Sequence, residues 1–343
     1  MVHLRIVVPS HNAEHALDLL KGIPSVCNLI YLPGAAHKPE GDVILCDVAR
    51  EDASVVVGDL KEFEIEREGS IAMEDVDSLI SDAAERAERA AEGAPSDAVV
   101  WEEVEARTSE NTELSASFLL FMVLACLIAS VAIMLDSAIL LVGAMVVGPE
   151  FGPLAALCVA AVQRRNDLVK RSLLPLVIGF PLAITAAFLF TLAIDGLGLT
   201  PDPYLAGERP NTFFIAHPDT FSVVVAALAG VVGVLSLTSA KSGALVGVLI
   251  SVATIPAAAN IGVAAAFGDG EEWVGAMEQL AVNLATIVIA GIITLFIQRK
   301  LYQRRRVKHL HDAAREAAGL PVGRSRRDRR AAAIEAGAGK PSA

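Results

Sequence analysis

The sequence predicts a membrane all-α domain of six transmembrane helices in two inverted three-helix repeats, preceded by a soluble α+β ferredoxin-like domain of βαββαβ order. Hydrophobic residues make up 54% of the 343 residues and the mean hydropathy is +0.53, which is high for a soluble domain. Charge is segregated, because residues 1–116 hold 9 basic and 25 acidic residues whereas residues 299–343 hold 13 basic and 4 acidic ones. Long apolar stretches lie between these two regions.

Residues 1–75 show the pattern of the soluble domain. The strand-like run LRIVV is followed by Ser10, a candidate N-cap, and by the periodic helix NAEHALDLLKG. The runs VCNLIYL and DVILCDV predict two strands, REDASVVVGDLKEF predicts a helix, and EIEREGSIAME predicts a final strand. The loop PGAAHKPEGD is interpreted as a connection rather than a ligand lip. No signal-peptide pattern precedes the first strand, so we expect this domain in the cytoplasm.

Three roles are open for the soluble domain: ligand sensing, docking or oligomerisation, and catalysis. Its element order hosts many functions and decides none of them. Catalysis is the weakest hypothesis because the domain has no glycine-rich phosphate loop or nucleophile motif, and no cofactor is expected.

His11 and His15 have the i,i+4 spacing of a metal pair but no third ligand, which favours solvent-facing histidines. The four cysteines lack CxxC spacing and are expected to be small buried hydrophobes.

Two segments flank the predicted membrane domain. Residues 76–116 predict an acidic helical connector to the first span, with a contact between subunits as the alternative. Residues 299–343 predict a basic, largely disordered cytoplasmic tail. Basic residues beside a span favour anionic lipid by about 1 kcal/mol each, so we expect the tail at the membrane surface, with attraction to the acidic domain as a second option. Nucleic acid is not expected as a partner, because no aromatic residues are interleaved with the basic ones.

Six apolar stretches reach the length of about 20 helical residues that spans a hydrocarbon core of about 30 Å. If residues 1–116 are inside, the inner loops hold most of the basic residues and the outer loops hold only Arg209. This asymmetry predicts a multi-pass protein of the inner (plasma) membrane with both termini cytoplasmic. The predicted spans are 117–136, 138–162, 172–194, 221–240, 243–267 and 277–298.

The second and fifth spans share a pattern. LVGAMVVGPEFGPLAALCVAAV (141–162) and LVGVLISVATIPAAANIGVAAAF (245–267) both begin with Leu-Val-Gly, reach a proline about ten residues later and end as an alanine-rich half-helix. Each is the middle span of a block of three predicted spans. Because three is an odd number, the second block begins on the opposite side of the membrane, and the two middle spans cross it in opposite directions. The sequence therefore predicts an inverted repeat with a broken helix in each half, which is the arrangement of many transporter midplane sites.

Glu150 lies at the first predicted break, about 18 Å into its span. Pro149 and Pro153, beside Gly148 and Gly152, are expected to interrupt the helical hydrogen bonds and free carbonyls for another partner. A carboxylate at this depth costs at least about 2.5–3.5 kcal/mol, which favours binding or proton carriage. The alternatives are a protonated structural residue, a cap of the half-helix, or a position closer to the surface.

Both repeats contribute to the predicted substrate or ion site. Asn283 of the sixth span is a candidate for this site, although an interhelical hydrogen bond explains it equally well. The glycine pairs 148/152 and 243/247 also permit close helix packing. No metal ligand set is predicted. The candidate residues are Glu150, Pro149, Gly152, Pro153, Thr254, Pro256, Asn260 and Asn283.

The outer loop TPDPYLAGERPNTFFIAHPDT (200–220) holds a candidate gate formed by Glu208, Arg209 and Asn211. Arg209 is the only basic residue of the outer loops, which suits substrate entry or gating. A salt bridge from Arg209 to Glu208 or a nearby aspartate explains the same residues equally well.

The motifs LLVGAMVVGPEFGPL, ERPNT, LVGVLISVATIPAAANIGVAAAFGD and AVNLATIVIAGI occur in this order within residues 114–298. Together they resemble the domain-of-unknown-function 389 family of uncharacterised prokaryotic membrane proteins. The resemblance implies the polytopic architecture but no activity. In that family a leucine is common at the position of Glu150 and a second proline at the position of Ala257. This implies that the helix break is general and that Glu150 belongs to a subgroup.

Three functions follow in order of preference. The first is a secondary transporter of a small solute or ion with a midplane site between two broken helices, with proton coupling as one option. The second is an ion channel gated through the soluble domain, and the third is a membrane-tethered sensor or scaffold without transport. An enzyme is not expected, because no nucleophile, metal or cofactor constellation occurs. The expected partners are the lipid bilayer, the solute or ion, and further copies of the chain in a homo-oligomer.

Overall fold

The structure is a computed structural model that describes residues 1–76, 78–91, 99–110, 112–201, 204, 207, 209–238 and 246–323, with the backbone alone for 107, 109, 110 and 246–253. The chain divides into two compact units. The first, called the sheet unit, comprises Met1–Glu103 and Gln298–Ala343. The second, called the helical unit, comprises Val104–Ile297.

The sheet unit has the predicted βαββαβ order. Its four strands form an antiparallel sheet in the order β2-β3-β1-β4. In the central strand Leu4 and Ile6 are fully buried whereas Arg5 is exposed, so the alternation places one face of the sheet in the core. The elements are β1 (Val2–Val8), α1 (Ser10–Gly22), β2 (Val26–His37), β3 (Glu40–Val48), α2 (Arg50–Leu60), a short α3 (Ile65–Glu68) and β4 (Ser70–Asp75).

Three local expectations in this unit were wrong. Ser10 is the first residue of α1 rather than its N-cap, and its hydroxyl donates to Asp42 at 3.2 Å. The segment predicted as a connection is hydrogen-bonded, because β2 continues to His37 and pairs there with Glu40. The last predicted strand begins only at Ser70, since the residues before it form the helical turn α3.

The segment predicted as a disordered tail is ordered over much of its length. Residues 299–309 belong to α12 (Gly270–His309), and α13 (Ala313–Ala317) follows. Ala314 and Ala318, one helical turn apart, lie in the core of the sheet unit with Leu320. Disorder is therefore wrong for residues 299–323, because small apolar residues among the basic ones form a packing face. Residues 324–343 lie outside the described residues.

Two helices lie in the predicted connector, namely α4 (Asp82–Ala90) and α5 (Trp101–Glu110).

After the connector, each predicted span corresponds to an apolar helix or helix pair. Four helices are long and apolar enough to cross a membrane, and a bent pair raises the number to five among the described residues. These helices indicate a lipid environment. The four are α6 (Ala116–Met134), α9 (Asn166–Gly196), α10 (Thr220–Thr238) and α12; the bent pair is α7 (Ala138–Val147) with α8 (Phe151–Gln163), and α11 (Val246–Ala266) is the remaining apolar helix.

The second predicted break, at Pro256, is absent from the structure, since α11 runs from Val246 to Ala266 with Pro256 inside it. A single proline removes one backbone donor, and a long helix tolerates this loss. The sequence around Pro256 has no adjacent glycine, unlike the segment around Pro149. Further along α11 the packing is close, because a Cβ on Gly262 would lie 2.7 Å from the carbonyl oxygen of Ile184 in α9.

Candidate functional site

The break between α7 and α8 turns the chain by 56° over three residues. Proline disfavours helical geometry in the residue before it, and Gly148 accordingly has an extended conformation, with φ −62° and ψ 124°. Pro153 lies in the first turn of α8, where backbone N–H groups have no helical partner in any case. Pro149 with Gly148 therefore makes the break, and Pro153 does not contribute to it as expected.

Glu150 occupies the break and is fully buried, with an exposed fraction of 0%. The Thr254 hydroxyl of α11, which is also fully buried, donates to the Glu150 Oε1 atom at 2.7 Å. Glu150 makes no side-chain capping hydrogen bond to α8, so the capping alternative is wrong. Its side chain lies inside the protein, and its depth in the membrane stays a prediction. The contact joins the two segments that match each other in the sequence, 104 residues apart.

The remaining candidates occupy different surroundings. Pro149 and Gly152 are partly exposed around the break. Asn283 is 1% exposed in α12, one turn after the buried Gln279. Asn260 lies about 9 Å further along α11 than Thr254, and on a different side of the helix.

Asn260 belongs to a polar cluster below the outer loop. Its side-chain NH2 group donates to Glu272 Oε1 at 3.2 Å. Arg209 contacts both carboxylate oxygens of Glu272, once at 2.7 Å, and its guanidinium lies 4.7 Å from the ring centre of Tyr204. Arg209 therefore forms a salt bridge with Glu272, and its predicted partner Glu208 lies outside the described residues.

Asn211 fixes the same loop to the turn after α6. Its side-chain NH2 group donates to Asp136 Oδ2 at 2.8 Å, and the Thr212 hydroxyl donates to Asp136 Oδ1 at 2.9 Å. Partial desolvation raises the pKa of Asp136, but these hydrogen bonds outweigh it and hold the pKa below its ordinary value. Glu208, the third predicted gate residue, lies outside the described residues.

A surface concavity of about 850 Å³ opens at this loop. Its polar lining comes from Asp136, Arg209, Asn211 and Glu272. Two of the predicted gate residues are thus brought together with two acidic residues that the sequence analysis did not select. Glu272 belongs to the acidic run FGDGEEWVGAME of another predicted outer loop, and the fold brings it to Arg209.

No group of histidine, cysteine and acidic side chains that fits a metal ion occurs among the residues that the structure describes. Gln279 was also missed, although its position four residues before Asn283 places both amides on one helix face.

Comparison with known proteins bears on the segment that holds these residues. A family model described as "Domain of unknown function (DUF389)" matches residues 145–289. This match confirms the predicted resemblance to that family. The uncharacterised protein MJ0678 of Methanocaldococcus jannaschii is 27% identical to this chain over 195 residues. The aligned part is 57% of this chain and 58% of that relative, so the chain spans little more than half the relative's length. No solved structure matches the chain.

Proposed function

We propose that this chain is a secondary transporter of a small solute or ion, and that Glu150 is its proton or ion site. One observation carries the proposal: a fully buried glutamate sits where a membrane helix is broken and accepts a hydrogen bond from Thr254. An ionisable side chain at such a depth is costly, so it is retained chiefly where it binds or moves something.

The backbone at the break supports the same role. Residues 148–150 leave the α-helix between α7 and α8, which frees backbone carbonyls that lipid cannot satisfy. Irregular backbone at membrane depth is tolerated where it is enclosed by protein or lines a cavity. Pro149 and Gly152 shape this break, and the unbroken α11 supplies Thr254 on the other side, with Pro256 just after it.

The inverted repeat is part of the proposal. The contact between Glu150 and Thr254 joins the middle helix of one proposed repeat to the middle helix of the other, as a pseudo-two-fold site requires. The excess of basic residues in the inner loops supports a plasma-membrane protein with both termini cytoplasmic. In this proposal the copies assemble as a homo-oligomer, each with its own site.

Arg209 and Glu272 form the outer gate in this proposal. Their two-contact ion pair ties the outer loop to the start of α12, and Asn260 lies directly beneath Glu272. Opening the outer side requires the pair to separate, which exposes the buried Asn260 to a solute that enters past Asn211.

Proton flux into proteoliposomes under an imposed pH gradient tests the proposal. Glu150→Gln keeps the shape and hydrogen-bonding capacity of the side chain but cannot release a proton, so it is expected to abolish pH-dependent flux. Glu278→Gln is the matched control, because Glu278 is an exposed glutamate on α12 of the same unit, and it should retain wild-type flux. Unchanged flux in Glu150→Gln excludes the proton role, and flux that never saturates as the gradient rises favours a channel.

A further inference from the structure

The sheet of the sheet unit has one covered face and one open face. On the covered face, Leu4 and Ile6 of β1 are fully buried in the hydrophobic core together with residues of α1 and α2. Side chains alternate between the two faces of a strand, so the residues between them, Arg5 among them, point to the other side. This second side is called the open face, and the cross-strand register shows which residues of the neighbouring strands share it.

Apolar side chains occupy the half of the open face that β2 and β3 form. Ile30 and Leu32 of the edge strand β2 are 48% and 42% exposed, and Val43 and Leu45 lie half-buried beside them. None of these four residues belongs to the hydrophobic core of the unit or to the side chains packed against it. An exposed apolar surface at the edge of a sheet favours association with another protein surface.

The other half of the open face carries two charged residues without an ion-pair partner. Arg5 of β1 and Glu74 of β4 are both exposed, and neither forms a salt bridge or a side-chain hydrogen bond within the part of the chain that the structure describes. Arg5 pairs in register with Ala72, two residues before Glu74, so the two charges are diagonal neighbours about 7–8 Å apart. Opposite charges are therefore available to a second molecule at adjacent positions.

A second copy of the open face complements both features. The register aligns Ile30, Leu45, Arg5 and Ala72 in one row across the four strands. A two-fold axis along this row stacks Leu45 and Ile30 on the same residues of the other copy, because a two-fold interface repeats each contact. The two Arg5 side chains then diverge, each toward Glu74 of the other copy. Packed sheets lie about 10 Å apart, a gap that an arginine and a glutamate side chain span together.

The size of the open face fits a contact between copies that share a membrane. Four strands about 4.8 Å apart and about 23 Å long cover roughly 440 Å² per copy, whereas a stable interface buries about 800 Å² on each partner. The sheet contact alone is therefore weak. The apolar helices hold both copies in one membrane plane, which lowers the freedom lost on association and favours a second copy over a free protein. An anionic lipid surface is disfavoured, since two carboxylates, Asp47 and Glu74, accompany the single arginine.

We propose that the open face binds the open face of a second copy, with Leu45 and Ile30 at the two-fold axis and an Arg5–Glu74 ion pair on each side of it. The inference rests on the homo-oligomer of the proposed function and names a surface that forms it. Association and proton flux are measured separately. A monomer that carries protons through Glu150 would overturn this inference alone.

Spin labels on the full-length protein in phosphatidylcholine liposomes test the contact. Ala72→Cys carries the nitroxide in a Cys27→Ser background, because the other cysteines, Cys46, Cys126 and Cys158, are buried. The axis passes through the row that contains Ala72, so we expect strong dipolar coupling between labels that disappears on dilution with unlabelled protein. Absence of coupling overturns the proposal. High oxygen accessibility without coupling would then assign the open face to lipid, and low accessibility would assign it to another protein.

A charge exchange tests the ion pairs. Arg5→Glu sets like charges against each other at two places and should weaken dimerisation at least about tenfold, and Glu74→Arg should do the same. The combined variant Arg5→Glu/Glu74→Arg re-forms both pairs and should restore dimerisation. Glu14→Arg is the matched control, because Glu14 is exposed on α1, which packs on the covered face, and it should change affinity by less than about twofold. The proposal is overturned if the combined variant stays as weak as the single ones, or if the control weakens dimerisation equally.

Discussion

The sheet unit and the helical unit bury charged side chains in different ways. In the sheet unit Arg315 is 1% exposed and forms ion pairs with Asp59 and Glu62, which lie in a part of the sequence about 250 residues earlier. In the helical unit Glu150 is 0% exposed and accepts a hydrogen bond from the neutral hydroxyl of Thr254. The first contact pairs opposite charges, and the second places a hydroxyl beside a carboxylate at a helix break.

The difference distinguishes the ion pairs of the sheet unit from the proposed site at Glu150. Burial raises the pKa of Asp59 to about 6 even though Arg315 and Arg306 oppose the shift, which illustrates how strongly burial disfavours a carboxylate. Ion pairs of this kind fix distant segments together and are costly to break.

The largest expected effect is on the buried ion pairs of the sheet unit. Arg315→Met leaves Asp59 and Glu62 buried without that guanidinium, and it should lower the free energy of unfolding by about 3–5 kcal/mol. Trp101 fluorescence in a Trp273→Phe background reports this unit during denaturation in detergent. The control Arg89→Met breaks the exposed pair with Glu85 and should cost less than about 0.5 kcal/mol. Equal losses in both variants would show that burial does not govern these pairs.

A smaller effect is expected at the outer loop, where the helical unit also uses opposite charge. Arg209→Gln removes both contacts between the Arg209 guanidinium and the Glu272 carboxylate, whose residues are 17% and 12% exposed, respectively. It should lower the free energy of unfolding by about 1.5–3 kcal/mol. Trp273 fluorescence in a Trp101→Phe background follows the thermal unfolding of this unit. Arg165→Gln is the control, because its pair with Glu105 is 41% and 46% exposed and should contribute about 0–1 kcal/mol. If Arg209→Gln lowers the stability no more than the control does, the ion pair between Arg209 and Glu272 does not stabilise the helical unit.

The smallest effect concerns Asp42 on β3. Its carboxylate accepts from the Gly34 N–H at 2.8 Å and from the Tyr31 hydroxyl at 2.7 Å, and the Gly34 bond in particular holds the pKa of Asp42 below its ordinary value. A lowered pKa stabilises the fold above the unfolded pKa of 3.8, and this stability is lost as pH falls through the folded pKa. Asp42→Asn should therefore be less stable than wild type at neutral pH, and the gap should close in acid. Glu40→Gln, exposed on the same strand, is the control, and a gap in Asp42→Asn that is unchanged in acid would contradict this linkage.

Much of the architecture could be predicted because it depends on periodicity. The alternation of apolar and polar residues predicted the strands of the sheet unit, and the length of the apolar stretches predicted the helices of the helical unit. The prediction failed where single residues compete with packing. Pro256 predicted a break, yet α11 continues through it, because a single proline without an adjacent glycine removes only one backbone donor. Ala314 and Ala318 pack into a core, although the basic residues around them suggested disorder.

The candidate site was predictable in part for a related reason. The match between the two apolar segments selected Glu150 and Thr254, and the structure brings these two residues into contact. The partner of Arg209 could not be read from the sequence, because Glu272 lies 63 residues away and only the fold aligns them. The match between the two segments thus predicted the contact between Glu150 and Thr254, whereas the pairing of loop charges required the tertiary structure.

The central claim is that Glu150 gains and loses a proton, and infrared difference spectroscopy of the protein in lipid tests it most directly. The account predicts a carboxylic acid band that changes with pH, shifts in heavy water, is absent in Glu150→Gln and persists in Glu278→Gln. Identical pH-dependent carboxyl bands in wild type and Glu150→Gln would contradict it.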